Sequence, residues 1–342
     1  MLTISDYHHR TPNFFEKIEK IFLHFRLELQ ERYSNQEIFN IFKINKRILL
    51  FLIKAQIIQI DSYIINFFSS NKMIWFEGYL NYLFKELKSY ITDENILKEI
   101  EKENSEYINN FDENCQIGEN DSYICQLIRA DSIEEFIIFV NKNCISLNSE
   151  IPHSIFETNS FLIAHMYYKK TTLIEYSAFF GSNQIFKYLY LNGVPLDKSI
   201  IYYAIHGENA EIIHLIEENN KDILKDYDFI FDCYQFSIQC HHIDISNYFY
   251  INYIQDQKLD WEKIDFMKQM QKKNTIPNFN IVQSLFDIES LNNYNYSFFP
   301  NNLDDPFIFY HLCMLNYVNI VKILLQTKNI KINYIIILNF LF

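Results

Sequence analysis

The chain has 342 residues and carries 43 acidic against 30 basic side chains, a formal net charge of −13. With no compensating basic block, that excess argues against nucleic acid as a partner, because affinity for a phosphate backbone comes from clustered Lys and Arg. Only five glycines and six prolines accompany a hydrophobic content of 49%, which leaves no material for a phosphate-cradling loop, calls for no cofactor, and points to an all-α chain with a large core.

The first residues, Met1 to Asp6, lack a charged segment followed by an apolar run, so no secretory leader is expected. The six cysteines, Cys115, Cys125, Cys144, Cys233, Cys240 and Cys313, form no Cys-x-x-Cys pair. That excludes a disulfide framework or zinc ribbon and makes reduced thiols in a cytoplasmic setting the default. Ser34 and Glu37 have capping-box spacing ahead of Ile38, Ile41 and Phe42, which predicts a helix there. Lys43, Lys46, Arg47 and Lys54 read as the solvated face of the next helix. Two greasy stretches, 47–60 and 334–342, are interrupted or too short against the roughly 20 residues a bilayer requires, so no membrane span is expected.

Asp61 is placed to cap a helix through Tyr63, Ile64, Phe67 and Phe68, with strand as the competing assignment for 57–68, and Thr92 or Asp93 to cap another through Ile96, Leu97 and Ile100. Residues 1–101 thus form a helical N-terminal region. Residues 102–121, rich in Asn, Glu and Asp around Gly118, read as an acidic linker, and 122–342 as a second region.

The second region repeats itself. Its clearest copy runs from Thr172 to Leu189, with a Ser177-Ala178 pair, Gly181, the spaced Ile185 and Leu189, and then Gly193. Small residues let two helices approach, and glycine takes the positive φ of a tight helix end. This copy resembles an ankyrin repeat without that family's Pro and His. Weaker copies occupy 200–219 (Tyr203-Ala204, Gly207, Ile212, Ile213), the stretch around Ile243, Ile245 and Phe249, that around Ile281 and Leu285, and 306–325. Upstream, 125–140 has the same two-helix shape, with Ser132 and Glu135 spaced as a capping box, and 141–170 is an insertion. Gly181, Gly193 and Gly207 are the expected positive-φ turn positions.

The resemblance covers roughly 122–333 and implies an α-solenoid of stacked helix pairs that recognises a protein through its loops and first helices. By that carry-over the contact residues are Pro195, Leu196, Asp197 and Lys198, with Tyr202 and Tyr203 on or near the groove. Packing between helices is the competing assignment for the two tyrosines.

Nothing in the sequence reads as an active site. Cys240-His241-His242, with Cys233 upstream, lacks a second ligand pair at zinc spacing. His206 and His214 have no nucleophile elbow near them and read as core or turn residues. The pairs Glu134-Glu135, Glu217-Glu218 and Asp304-Asp305 read as solvated charges, and His8-His9 as exposed. The expectation is therefore a non-catalytic scaffold for a protein partner. Two rivals stand beside it: an enzyme with its site in the N-terminal region, and self-association, for which the apolar run Ile335 to Phe342 is the motive.

Overall fold

The computed structural model describes residues 14–70, 78–91, 94–105, 110–163, 170–219, 226–240 and 242–254. The helix cap at Thr92 or Asp93, the copies around Ile281 and at 306–325, His8-His9, His241 and the run from Ile335 lie outside these residues. The described residues are largely helical and contain no β-sheet; one antiparallel bridge joins Glu150 to Thr172. The chain divides into two units, Met1–Leu196 and Asp197–Phe342.

The first unit opens with α1 (Phe14–His24), α2 (Arg26–Arg32), α3 (Asn35–Phe42), α4 (Lys46–Lys54) and α5 (Ser62–Ser70). Its caps are legible in the sequence. Ser34 and Glu37 form the reciprocal capping box, and the Asp61 carboxylate accepts from the Ile64 backbone N–H at 3.0 Å, so 62–70 is helix rather than strand. The apolar stripes meet in one aromatic core: Phe22 packs edge-on to Phe42 at 5.1 Å, and Phe39 packs against Phe67 at 5.1 Å.

After α6 (Tyr79–Tyr82), α7 (Phe84–Leu87) and a 3-10 turn come α8 (Glu94–Ser105) and α9 (Phe111–Ile117). The two last occupy much of the stretch read as a linker. Phe111 and Cys115, four residues apart, form an apolar stripe beneath polar neighbours and are buried. The Tyr82 hydroxyl donates to the Cys115 carbonyl at 2.7 Å. Gly118, at φ 70, ends α9.

Two helix pairs complete the unit, α10 (Tyr123–Arg129) with α11 (Ile133–Lys142) and α12 (Leu173–Phe180) with α13 (Asn183–Leu191). First helix lies beside first helix, where Arg129 donates to the Tyr176 hydroxyl at 2.9 Å. Second lies beside second, where Phe136 meets Tyr188 edge-on at 6.3 Å. The second unit repeats this plan with α14 (Ile200–His206) and α15 (Ala210–Asn219), then α16 (Tyr227–Gln239) and α17 (Ile243–Phe249), which runs into a π turn at Tyr250–Ile254. Tyr202 of α14 packs on Phe229 and Phe236 of α16, each at 5.4 Å.

All four pairs turn in the same way. The backbone N–H of Ser132, Ser182, Asn209 and His242 reaches back five residues, to the carbonyls of Leu127, Ser177, Ala204 and Ser237, closing each first helix in a Schellman-type turn. The left-handed residue is Asp131 (φ 49) in the first pair, Gly181 (φ 65) in the second and Glu208 (φ 50) in the third. Two sequence expectations are corrected here. Gly207 sits at φ −70, one residue too early, so the strained position falls on Glu208. Ser132 makes no side-chain cap bond, its backbone lying at φ −81 and ψ 76, outside the extended region of a capping residue.

The insertion is closed at its base. Ile151 N–H donates to the Thr171 carbonyl at 2.8 Å and Leu173 N–H to Ser149 at 3.0 Å. From there an arm, residues 151–163, crosses to the N-terminal helices. Phe156, fully buried, packs against Phe111 at 5.5 Å and Tyr82 at 6.5 Å.

Candidate functional site

The residues nominated from the sequence fall on both sides of the division between units. Pro195 is exposed and Leu196 half-buried at the end of the first unit; Asp197, exposed, and Lys198, half-buried, open the second. Lys198 is tethered: its ammonium lies 2.6 Å from the Asp226 carboxylate and 4.3 Å from the centre of the Phe229 ring. Tyr202 is half-buried between Phe229 and Phe236, and burial, helped by Cys233 and Asp232, raises its hydroxyl pKa. Tyr203 is only 1% exposed. It is a core residue and cannot touch a partner, because the helix turns it a further 100° from Tyr202 into the packed interior.

Further along the second unit, Glu217 corrects its reading as a solvated charge. Its carboxylate accepts from the Tyr248 hydroxyl at 2.5 Å and the Tyr253 hydroxyl at 3.1 Å, and lies 3.1 Å from His214 Nδ1. Tyr248 lies in the last turn of α17 and Tyr253 five residues on, in the π turn, whose wider winding lets both hydroxyls reach one carboxylate. His206 is a core residue, 2% exposed against Phe236. His242 is also buried, with Nδ1 3.5 Å from Glu208. His214 departs from the core or turn reading: it is half-exposed on the surface of α15.

Two buried charged groups altered by the fold lie in the first unit, and sequence reading missed them. Lys46, expected on a solvated face, is 4% exposed and donates to the Ile155 carbonyl of the arm. Its ammonium also lies 5.2 Å from the centre of the Tyr82 ring. Burial pushes its pKa down to about 8, opposed by Glu157. Glu157, on the arm and 2% exposed, accepts from the backbone N–H of Asn159 at 2.9 Å, Thr158 at 3.0 Å and Asn120 at 3.3 Å. Burial raises its carboxyl to about 7, while the Asn159 bond works in the other direction. Arg129 is held by Glu119 at 2.7 Å. Arg47 stacks over the Phe15 ring at 3.5 Å and donates to the Ile117 carbonyl.

These groups hold chain segments to one another rather than framing a substrate space. The cavity beside them, between Phe15, Asn45, Gly118 and Thr158, measures about 10 Å³, room for one water. A wider recess of about 430 Å³ opens on the surface between α9 and α10, lined by Glu113, Ile117, Glu119, Asp121, Gln126 and Arg129 among others. Burial lifts the Cys115 and Cys125 thiols to about 12, so neither is a thiolate nucleophile at neutral pH. Among the described residues, no group of three His, Cys, Asp or Glu side chains converges on a metal position, and no helix is long and apolar enough to cross a membrane.

Searches with protein-family models and against curated proteins and solved structures found nothing that matches this chain.

Proposed function

We propose that the chain is a non-catalytic scaffold, an ankyrin-like solenoid of helix pairs that recognises a protein partner through its turns and the outward side chains of its first helices. The observation that carries this reading is the repeated pair. Four pairs share one turn geometry, and within each unit like helices lie side by side. One pair cannot bury both of its apolar faces, so stacking supplies the core and leaves one edge free for recognition. The surface groups that fit the role are Tyr123 and Gln126 on α10, both exposed, and, in the second unit, Asp197 and Lys198 ahead of α14. Tyrosine offers a contact surface a rigid apolar body with a polar tip.

A pull-down from native lysate tests it, comparing the intact chain with Tyr123→Ala/Gln126→Ala and with Asp197→Ala/Lys198→Ala. Specific loss of one protein from a folded variant supports the scaffold and identifies the face. If every captured protein survives both substitutions, the reading falls.

Self-association is a second reading. Leu23, Phe25, Leu27, Ile41 and Ile44, in or next to α1, α2 and α3, are exposed, and exposed apolar side chains that form one patch are a mark of association. Light scattering across a hundredfold concentration range decides it, since a mass that stays monomeric removes the reading.

A further inference from the structure

One stripe of the first helices changes character between neighbouring pairs. In α10 its positions are Tyr123 and Gln126, both exposed, and half-buried Arg129. The same distances back from the turn residue give Leu173, Tyr176 and Phe179 in α12. All three are buried, as is every residue of that helix. Part of the cover is the arm: the Phe161 ring lies nearly parallel to Phe179, 5.9 Å away and inclined by 13°, and Leu162 beside it is fully buried.

We propose that the arm, residues 151–163, is a resident ligand, a segment of the chain itself whose helical end seats Phe161 on the first helix α12 and closes that part of the face to outside peptides. This deepens the scaffold reading and rests on it. Arm and α12 meet where Phe161 stacks on Phe179; elsewhere Phe156 anchors the arm on Phe111, and backbone bonds tie Ile151 to Thr171 and Thr158 to Gly118. Seating the arm also takes Glu157 and Lys46 out of water, which offsets part of the apolar gain and leaves the hold weaker than its contacts alone would make it. A partner that displaces the arm presents an aromatic side chain for Phe179.

Native-state hydrogen exchange on the intact chain tests this without any partner, so its failure is separate from failure of the scaffold. The Thr158, Asn159 and Leu162 amides should exchange through a local opening, with protection about tenfold or more below that of Tyr176 and Phe179 in α12. Exchange of both sets together, only on global unfolding, makes the arm an inseparable part of the core and overturns the proposal. A second measurement titrates a labelled synthetic peptide of residues 150–163 into the intact chain and into Phe161→Ser/Leu162→Ser. Binding to the variant but not to the parent is the expected result. No binding to a folded variant overturns the proposal.

Discussion

Asp131 caps a helix that begins at Asn183, in the next pair: its carboxylate accepts from the backbone N–H of Ile185 at 3.0 Å, and its second oxygen accepts from Gln184 at the same distance. Ser182 returns a bond the other way, to the Ile128 carbonyl at 2.5 Å. A residue under left-handed strain thus serves the neighbouring pair, and Glu208 faces His242 in the second unit in a similar manner.

Substitution at Asp131 separates the two roles. Asp131→Asn tolerates the left-handed turn and keeps one acceptor, so it should cost less than about 1 kcal/mol. Asp131→Gly relieves the strain and loses the cap, for about 1 kcal/mol, and Asp131→Ala suffers both, for about 2 kcal/mol. Urea midpoints should fall in that order, and Ala matching Asn would show that the cap contributes nothing.

Two glycines with the same sign of φ should differ in cost. A Cβ at Gly118 would meet Thr158 Oγ1 at 2.9 Å and Arg47 Cδ at 3.0 Å, whereas one at Gly193 meets nothing within 4 Å. Gly193→Ala should lose about 1 kcal/mol from backbone strain alone, and Gly118→Ala about 2–3 kcal/mol. Thermal melts of the pair check it, and equal losses would mean that the Gly118 neighbours yield freely.

Phe156 joins the insertion to the N-terminal helices, so Phe156→Ala should cost about 3–5 kcal/mol. Ile138, 65% exposed on α11, should lose no more than about 0.5 kcal/mol on the same change. Equilibrium denaturation gives both values. A mild Phe156→Ala would mean that the arm contributes little to the core.

Stability should pass through a minimum near neutral pH. The folded Glu157 holds its proton up to about 7 against an ordinary value of 4.5, so the folded state binds the extra proton and stability falls as pH rises from 4.5 to 7. The folded Lys46 releases its proton near 8 instead of 10.5, so stability recovers as pH rises from 8 to 10.5. Each limb is worth on the order of 3 kcal/mol. Unfolding free energies at pH 5.5, 7.5 and 9.5 check the shape; Glu157→Gln should flatten the acid limb and Lys46→Met the basic one.

What could be read from the sequence is what depends on neighbours in the chain. The Ser34 and Asp61 caps, the Gly181 turn and the spacing of Ile185 and Leu189 follow from local backbone chemistry, and all appear where expected. What failed to show depends on distant segments. Lys46 resembles any surface lysine until Ile155, more than a hundred residues later, supplies its acceptor. The acidic stretch around Asp112 looks like a linker because Phe111 and Cys115 find their partners only through Tyr82 and Phe156. Tyr203 differs from Tyr202 by one step of helix, and that step decides exposure. The signal that could have marked the arm is an apolar pair, Ile155-Phe156, inside a segment too long and too greasy for a surface loop.

The single bridge between Glu150 and Thr172 has a consequence for how such chains grow. It brings the two ends of the insertion to the spacing of paired strands, so the flanking helix pairs meet as they would across a short hairpin. Fifty residues separate the second-helix N-caps Ser132 and Ser182, against 33 between Asn209 and His242, yet both intervals close with the same turn. Since lengthening a closed loop costs only about 0.6 kcal/mol per doubling, an insertion of this size leaves the pairs on either side in register.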